Sequence, residues 1–125
     1  MDWTPIAISI GAVGGALSRY YLSLYWLQRA GDRFPYGTLF VNLTGAFAIG
    51  WVATVVPLWG ISAFWQKLIM TGFLGAYTTF STYMLDTVKL FSSQQRLKAL
   101  LYWLGSAGLG LVCAELGIWF GRLWV

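Results

Sequence analysis

The sequence has no histidine, one cysteine (Cys113) and only four acidic residues in 125. Each shortage removes a class of chemistry. Without histidine the commonest metal ligand and general base are gone. A single cysteine excludes an intrachain disulfide, and four carboxylates leave hydrolytic or metal-dependent catalysis little to work with. Charge is scarce throughout, with 10% of residues charged against about 25% in soluble domains. The eight Lys and Arg residues raise the pI to about 9.5. They are scattered rather than gathered on a stripe, so no nucleic acid is expected as a partner.

What the chain has instead is apolar length, with 58% hydrophobic residues. A transmembrane helix needs about 20 largely apolar residues, so the chain holds a single domain of four spans joined by short loops. Hydropathy and charge place them at about 4–27, 36–58, 66–91 and 97–123. Pro57, Trp59 and Gly60 mark the end of the second. Asp2, rather than a Lys or Arg, precedes the first apolar run, so the basic opening of a signal peptide is missing and a retained first span is expected. Trp3, Trp26, Trp59, Trp65 and Trp124 fall near span ends, as an interfacial aromatic belt requires. The fold class is therefore an all-α membrane protein embedded in a lipid bilayer.

Among 15 glycines, Gly11 with Gly15 and Gly117 with Gly121 are spaced four apart. On a helix such pairs share a face and let backbones approach closely, although glycine is also simply common in membrane helices. Four short helices so notched are expected to pack into an oligomer. Lys67 and Arg122 fall on one side of the membrane, and Arg29, Arg33, Lys89, Arg96 and Lys98 on the other. That bias favours the loop near residues 28–35 facing the cytoplasm.

The polar groups inside the spans carry the functional information. Thr78, Thr79, Ser81 and Thr82 lie in an uncharged run from Leu68 to Leu85. Open backbone and hydroxyl groups at bilayer depth are tolerated only where protein or a water-filled path surrounds them. The third span is therefore expected to be broken in mid-membrane, lining a permeation path. Asn42, with Thr38 one turn before it on the same face, can donate hydrogen bonds to an anion losing its water. It can equally join helices. Arg19 is an intramembrane cation that either draws anions to a pore mouth or snorkels to the interface. Asp86 can accept from a pore hydroxyl or pair with Lys89, and Glu115 in the fourth span has no assigned role. Phe80 and Tyr83 share a helical face, and electropositive ring edges there can meet a small anion without holding it tightly.

Three segments resemble the motifs of the Fluc (CrcB) fluoride channels: Gly14-Gly-Ala-Leu-Ser-Arg-Tyr20, Gly37-Thr-Leu-Phe-Val-Asn-Leu-Thr-Gly45 and Gly72-Phe-Leu-Gly-Ala-Tyr-Thr-Thr-Phe-Ser-Thr-Tyr83. They occur in order, and the resemblance covers the whole four-span layout. It implies a dual-topology dimer of two antiparallel subunits with two pores lined by both chains. That dimer lies in the plasma (inner) membrane of a prokaryote as a multi-pass protein. It exports fluoride that enters as hydrogen fluoride and is trapped by ionisation. Asn42 matches the pore asparagine, Phe80 the first ring of the aromatic pair, and Tyr83 stands where the second phenylalanine usually is. Thr38, Ser81 and Thr82 match polar pore or vestibule positions, Arg19 the vestibule arginine, and Tyr102 and Ser106 the tyrosine and serine of the fourth span. The break resembles the site of a central structural sodium ion on the dimer axis, with the carbonyls of Gly75 and Thr78 from each chain as ligands. A hard cation held by carbonyls freed from a helix is physically reasonable.

This chain departs from the family pattern in places. The hydroxyl of Tyr83 opens a hydrogen-bonding role at the second aromatic site, and Asp86 is shorter than the usual glutamate. The uneven charge count fits poorly with insertion in both orientations, and some members of the family pair with an oppositely oriented homologue. A homodimer is the expectation here. Overall the pattern fits a passive, fluoride-selective channel and not an enzyme. The main rival is a small dual-topology, proton-coupled exporter of cationic compounds, which needs an acid deep in the first span. That span has Arg19 and no acid beyond Asp2. A non-conducting accessory subunit would account for the glycines but not for the hydroxyl cluster.

Overall fold

The computed structural model describes residues 2–125, which form helices joined by short turns. Helix α1 is Thr4–Ala30, α2 is Tyr36–Trp59, α5 is Phe80–Ser92 and α6 is Arg96–Arg122. Between α2 and α5 lie α3 (Ala63–Gln66), a π-helical stretch (Lys67–Leu74) and α4 (Gly75–Tyr77), which run on into one another. With α5 they make up the third of four rods.

Local chemistry sets the ends. Pro5 opens α1, where its missing N–H costs nothing, and the Asp2 carboxylate accepts from the Thr4 N–H at 3.0 Å. Gly31 and Gly60 adopt positive φ after α1 and α2, a conformation that glycine enters freely. The third rod breaks at Thr78 and Thr79, which are both extended (ψ 157° and 118°). Thr79 then caps α5, its hydroxyl accepting from the Thr82 N–H at 3.2 Å.

Glycines decide how the rods pair. A Cβ on Gly11, Gly15 or Gly72 would run into the carbonyl oxygen of Leu68, Phe73 or Ile8, so α1 lies backbone to backbone on the π-helical stretch. In the same way Gly50 meets the Ala114 carbonyl and Gly117 the Phe47 carbonyl, joining α2 to α6. In both pairs the contacts advance in the same direction along the two helices. The first rod thus runs parallel to the third, and the second to the fourth. The Gly11–Gly15 and Gly117–Gly121 pairs are taken up inside the chain rather than held for a partner, as the oligomer argument had supposed. Within the helices, the glycines with open space over them are Gly105, Gly108 and Gly110, on α6.

Fully buried residues are few and mostly small, among them Ala7, Val41 and Ala99. Large apolar side chains lie outside, with Leu111 71% and Leu97 70% exposed. Helices α2 and α6 are long and apolar enough to cross a membrane, so this outward apolar surface has a natural solvent in lipid.

Candidate functional site: the break in the third rod

Three consecutive residues at the break are tied by hydrogen bonds to α2, α1 and α2 in turn. The Tyr77 hydroxyl meets Thr44 Oγ1 of α2 at 2.8 Å, and Thr44 also donates to the Phe40 carbonyl. The Thr78 carbonyl accepts from Arg19 Nη1 of α1 at 3.4 Å. Thr79 exchanges two bonds with Asn42. Its N–H donates to Asn42 Oδ1 at 2.8 Å, and its carbonyl accepts from Asn42 Nδ2 at 2.9 Å. The Asn42 amide thus replaces the peptide partners that Thr79 loses when the helix stops.

This arrangement frees two carbonyls. The Thr79 N–H would bond the Gly75 carbonyl if the helix continued, but it turns to Asn42. The Thr82 N–H would bond the Thr78 carbonyl, but it turns to the Thr79 hydroxyl. Among the described residues no three His, Cys, Asp or Glu side chains gather as metal ligands. A cation here would be held by backbone oxygens, and the freed Gly75 and Thr78 carbonyls have the hard-donor character that sodium takes. Arg19 already shares the Thr78 oxygen.

A cavity of about 370 Å³ opens on the break, lined by Asn42, Gly75, Thr78, Thr79, Phe80 and Tyr83 together with apolar residues of α2 and the π-helical stretch. No charged side chain lines it. The rings of Phe80 and Tyr83 meet edge to face, with centroids 5.9 Å apart, and Phe80 is 72% exposed. Asn42 lines the cavity and uses one of its two N–H donors on Thr79, so one remains available. Donors, ring edges and no carboxylate suit a small anion stripped of water.

The other predicted residues fall elsewhere. Ser81 and Thr82 are exposed on the first turn of α5, and their hydroxyls lie 3.4 and 3.2 Å from that of Thr79. Thr38 lines a second, more polar cavity of about 530 Å³ with Phe34, Arg33, Asp86 and Lys89. Tyr102 is 2% exposed, packs with Leu90 and Ala99, and donates to Asp86 Oδ2 at 3.5 Å. Asp86 therefore accepts from a tyrosine, where a pore hydroxyl or Lys89 was expected. Ser106 lines neither cavity, and its buried hydroxyl has no partner among the described residues. Arg19 points to the break, not along the helix to an interface.

Reading the sequence by residue type placed Thr79 in the hydroxyl cluster but not as a helix cap, and it missed Thr44 and Tyr77. Thr79 had a signal, since a hydroxyl residue before a resumed helical run is a capping position. Thr44 and Tyr77 had none, because only the packing of α2 on the third rod brings them together.

The family description CrcB-like protein, Camphor Resistance (CrcB), matches residues 6–118. A fluoride-specific ion channel FluC of Synechococcus sp. (strain JA-2-3B'a(2-13)) is 50% identical over 121 residues, covering 96% of this chain and 93% of that protein. A protein of the same name from Trichormus variabilis (strain ATCC 29413 / PCC 7937) is 53% identical over 123 residues, covering 95% and 88%. Another, from Rhizobium meliloti (strain 1021), is 40% identical over 114 residues, covering 90% and 91%. The matched region takes in Arg19, Asn42, the helix break and both cavities, and on that extent this chain belongs to the CrcB family.

Proposed function

We propose that this membrane protein is a fluoride channel, through which the ion moves passively by way of the cavity at the helix break. One observation carries the reading. The Asn42 amide and the Phe80 and Tyr83 rings converge on an uncharged cavity beside a backbone break. Fluoride is small and strongly hydrated, so it enters only where donors replace its water. It leaves only where no fixed charge holds it. The relatives named fluoride-specific ion channels support the choice of ion.

The cavity is open on one side, and Gly75 and Phe80 on its rim are exposed. A second copy in antiparallel orientation closes it in this reading and supplies the other half of each of two pores. The oppositely oriented homologue is the alternative partner. The freed carbonyls of Gly75 and Thr78 from both copies then hold a structural sodium ion on the dimer axis. Thr38 and the second cavity form the outer mouth of the path, and Tyr102 and Ser106 flank it on α6. Export across the inner membrane of a prokaryote follows the fluoride gradient.

The test is fluoride efflux from proteoliposomes of the purified chain, read by a fluoride electrode with chloride as control. Fast fluoride loss without chloride loss is expected, and it also establishes that one kind of chain is sufficient. Silence from folded protein, persisting after an oppositely oriented homologue is added, sinks the channel reading.

A further inference from the structure

Tyr83 brings a hydroxyl to the rim of an ion path, where a donor invites the expectation that it binds the ion. Its surroundings direct that hydroxyl elsewhere. The ring of Tyr83 sits between those of Phe80 and Tyr102, edge to face with both, at centroid distances of 5.9 and 5.3 Å. Tyr102 in turn meets Phe34 edge to face at 5.5 Å. Phe80 and Tyr83 line the cavity at the break, and Phe34 lines the outer cavity. One continuous row of rings therefore joins the two. Within that row the Tyr83 phenol donates to the backbone carbonyl of Trp103 on α6, while the ring packs against the cluster of Leu90, Ala99 and Tyr102.

We propose that Tyr83 is a positioning residue, whose hydroxyl latches α5 to the α6 backbone at Trp103 and so presents a ring edge, not a hydroxyl, to the permeating ion. The inference rests on the channel reading for its consequence, although the latch itself does not. A phenol has one proton to donate. Given to Trp103, it is not available to an anion. A carbonyl acceptor is also well placed for the task, because a helix carbonyl retains a second lone pair beside its helical bond. The latch fixes the tilt of the ring against Phe80, and with it the direction of the ring edge. A row of edge-to-face rings transmits any loss of that tilt, since each ring's face is set by its neighbour's edge.

Two measurements on the full-length protein test this, one of them independent of transport. The ultraviolet resonance Raman difference spectrum between wild type and Tyr83→Phe isolates the tyrosine Fermi doublet of residue 83. It is expected to report a hydroxyl acting as a donor, unchanged when sodium fluoride replaces sodium chloride. A doublet that moves on adding fluoride, or one typical of a free hydroxyl, overturns the latch. In proteoliposomes, Tyr83→Phe is expected to hold the fluoride concentration for half-maximal flux within about twofold of wild type while changing the maximal rate. A direct hydrogen bond to the anion would instead raise that concentration by about tenfold or more when removed, and this result also overturns the proposal. If neither protein conducts, the channel reading fails, and the Raman result still decides the latch.

Discussion

Asn42 and Thr79 face each other across the α2 interface as a side-chain amide paired with a main-chain peptide, exchanging bonds of 2.9 and 2.8 Å. The pair shows Asn42 joining α2 to the third rod at a point where it also lines the cavity. It joins helices through Oδ1 and one N–H, and its second N–H donor is left over. A broken helix leaves unpaired peptides at bilayer depth, where each costs several kcal/mol. The amide removes that penalty at Thr79, while the Gly75 carbonyl loses its helical partner and the Thr78 carbonyl exchanges its own for Arg19.

Asn42→Asp keeps the size of the side chain and the acceptor for the Thr79 N–H. It turns the donor to the Thr79 carbonyl into a second carboxylate oxygen, and it puts a negative charge beside the cavity. Fluoride flux is expected to be abolished, with a fall in thermal midpoint reflecting about 1–3 kcal/mol for the orphaned carbonyl. Flux and melting in detergent check the two parts separately. Normal flux would remove Asn42 from the path.

Thr79 contributes differently, because its bonds to Asn42 come from the backbone and only its hydroxyl caps α5. Thr79→Ala is therefore expected to destabilise by about 1 kcal/mol while keeping preference for fluoride over chloride. Thr79→Ser is expected to melt like wild type. Loss of anion selectivity in Thr79→Ala would show that the hydroxyl meets the ion.

The presence of a break was legible because four hydroxyls in an uncharged run had no other tolerable explanation. Its mechanism was not, since Thr44 and Asn42 reach Tyr77 and Thr79 only through the packing of α2 on the third rod. The π-helical stretch at Lys67–Leu74 was also hidden. Nothing local in its sequence widens a helix, whereas the backbone contact of Gly72 with Ile8 belongs to the folded pair. Glycine spacing correctly announced close approach, but spacing cannot name the neighbour. The Gly11 and Gly117 notches are filled from within the chain.

Gly117 gives the sharpest test of that packing. An alanine methyl there would overlap the Phe47 carbonyl oxygen and crowd the Trp51 N–H, so α2 and α6 must separate. Gly117→Ala is expected to destabilise by about 1–3 kcal/mol, as overpacking does. The midpoint of thermal aggregation, followed by size-exclusion chromatography, measures it. A midpoint equal to that of wild type would mean that the two helices are not in backbone contact at this level.

Phe80 offers the cleanest separation of path from fold. It is 72% exposed in the subunit, so replacing it removes little of the packing that holds one chain together. Its ring meets that of Tyr83 edge to face and lines the cavity. Phe80→Ile keeps a bulky apolar side chain but has no electropositive edge. If that edge offsets about 1–1.5 kcal/mol of the cost of dehydrating the ion, its loss slows flux by about tenfold. The expected result is that fall in fluoride efflux from vesicles carrying equal amounts of folded protein, with the thermal midpoint nearly unchanged. An unchanged efflux rate would make the Phe80 ring a packing element, and the path would then have to run past Tyr83 alone.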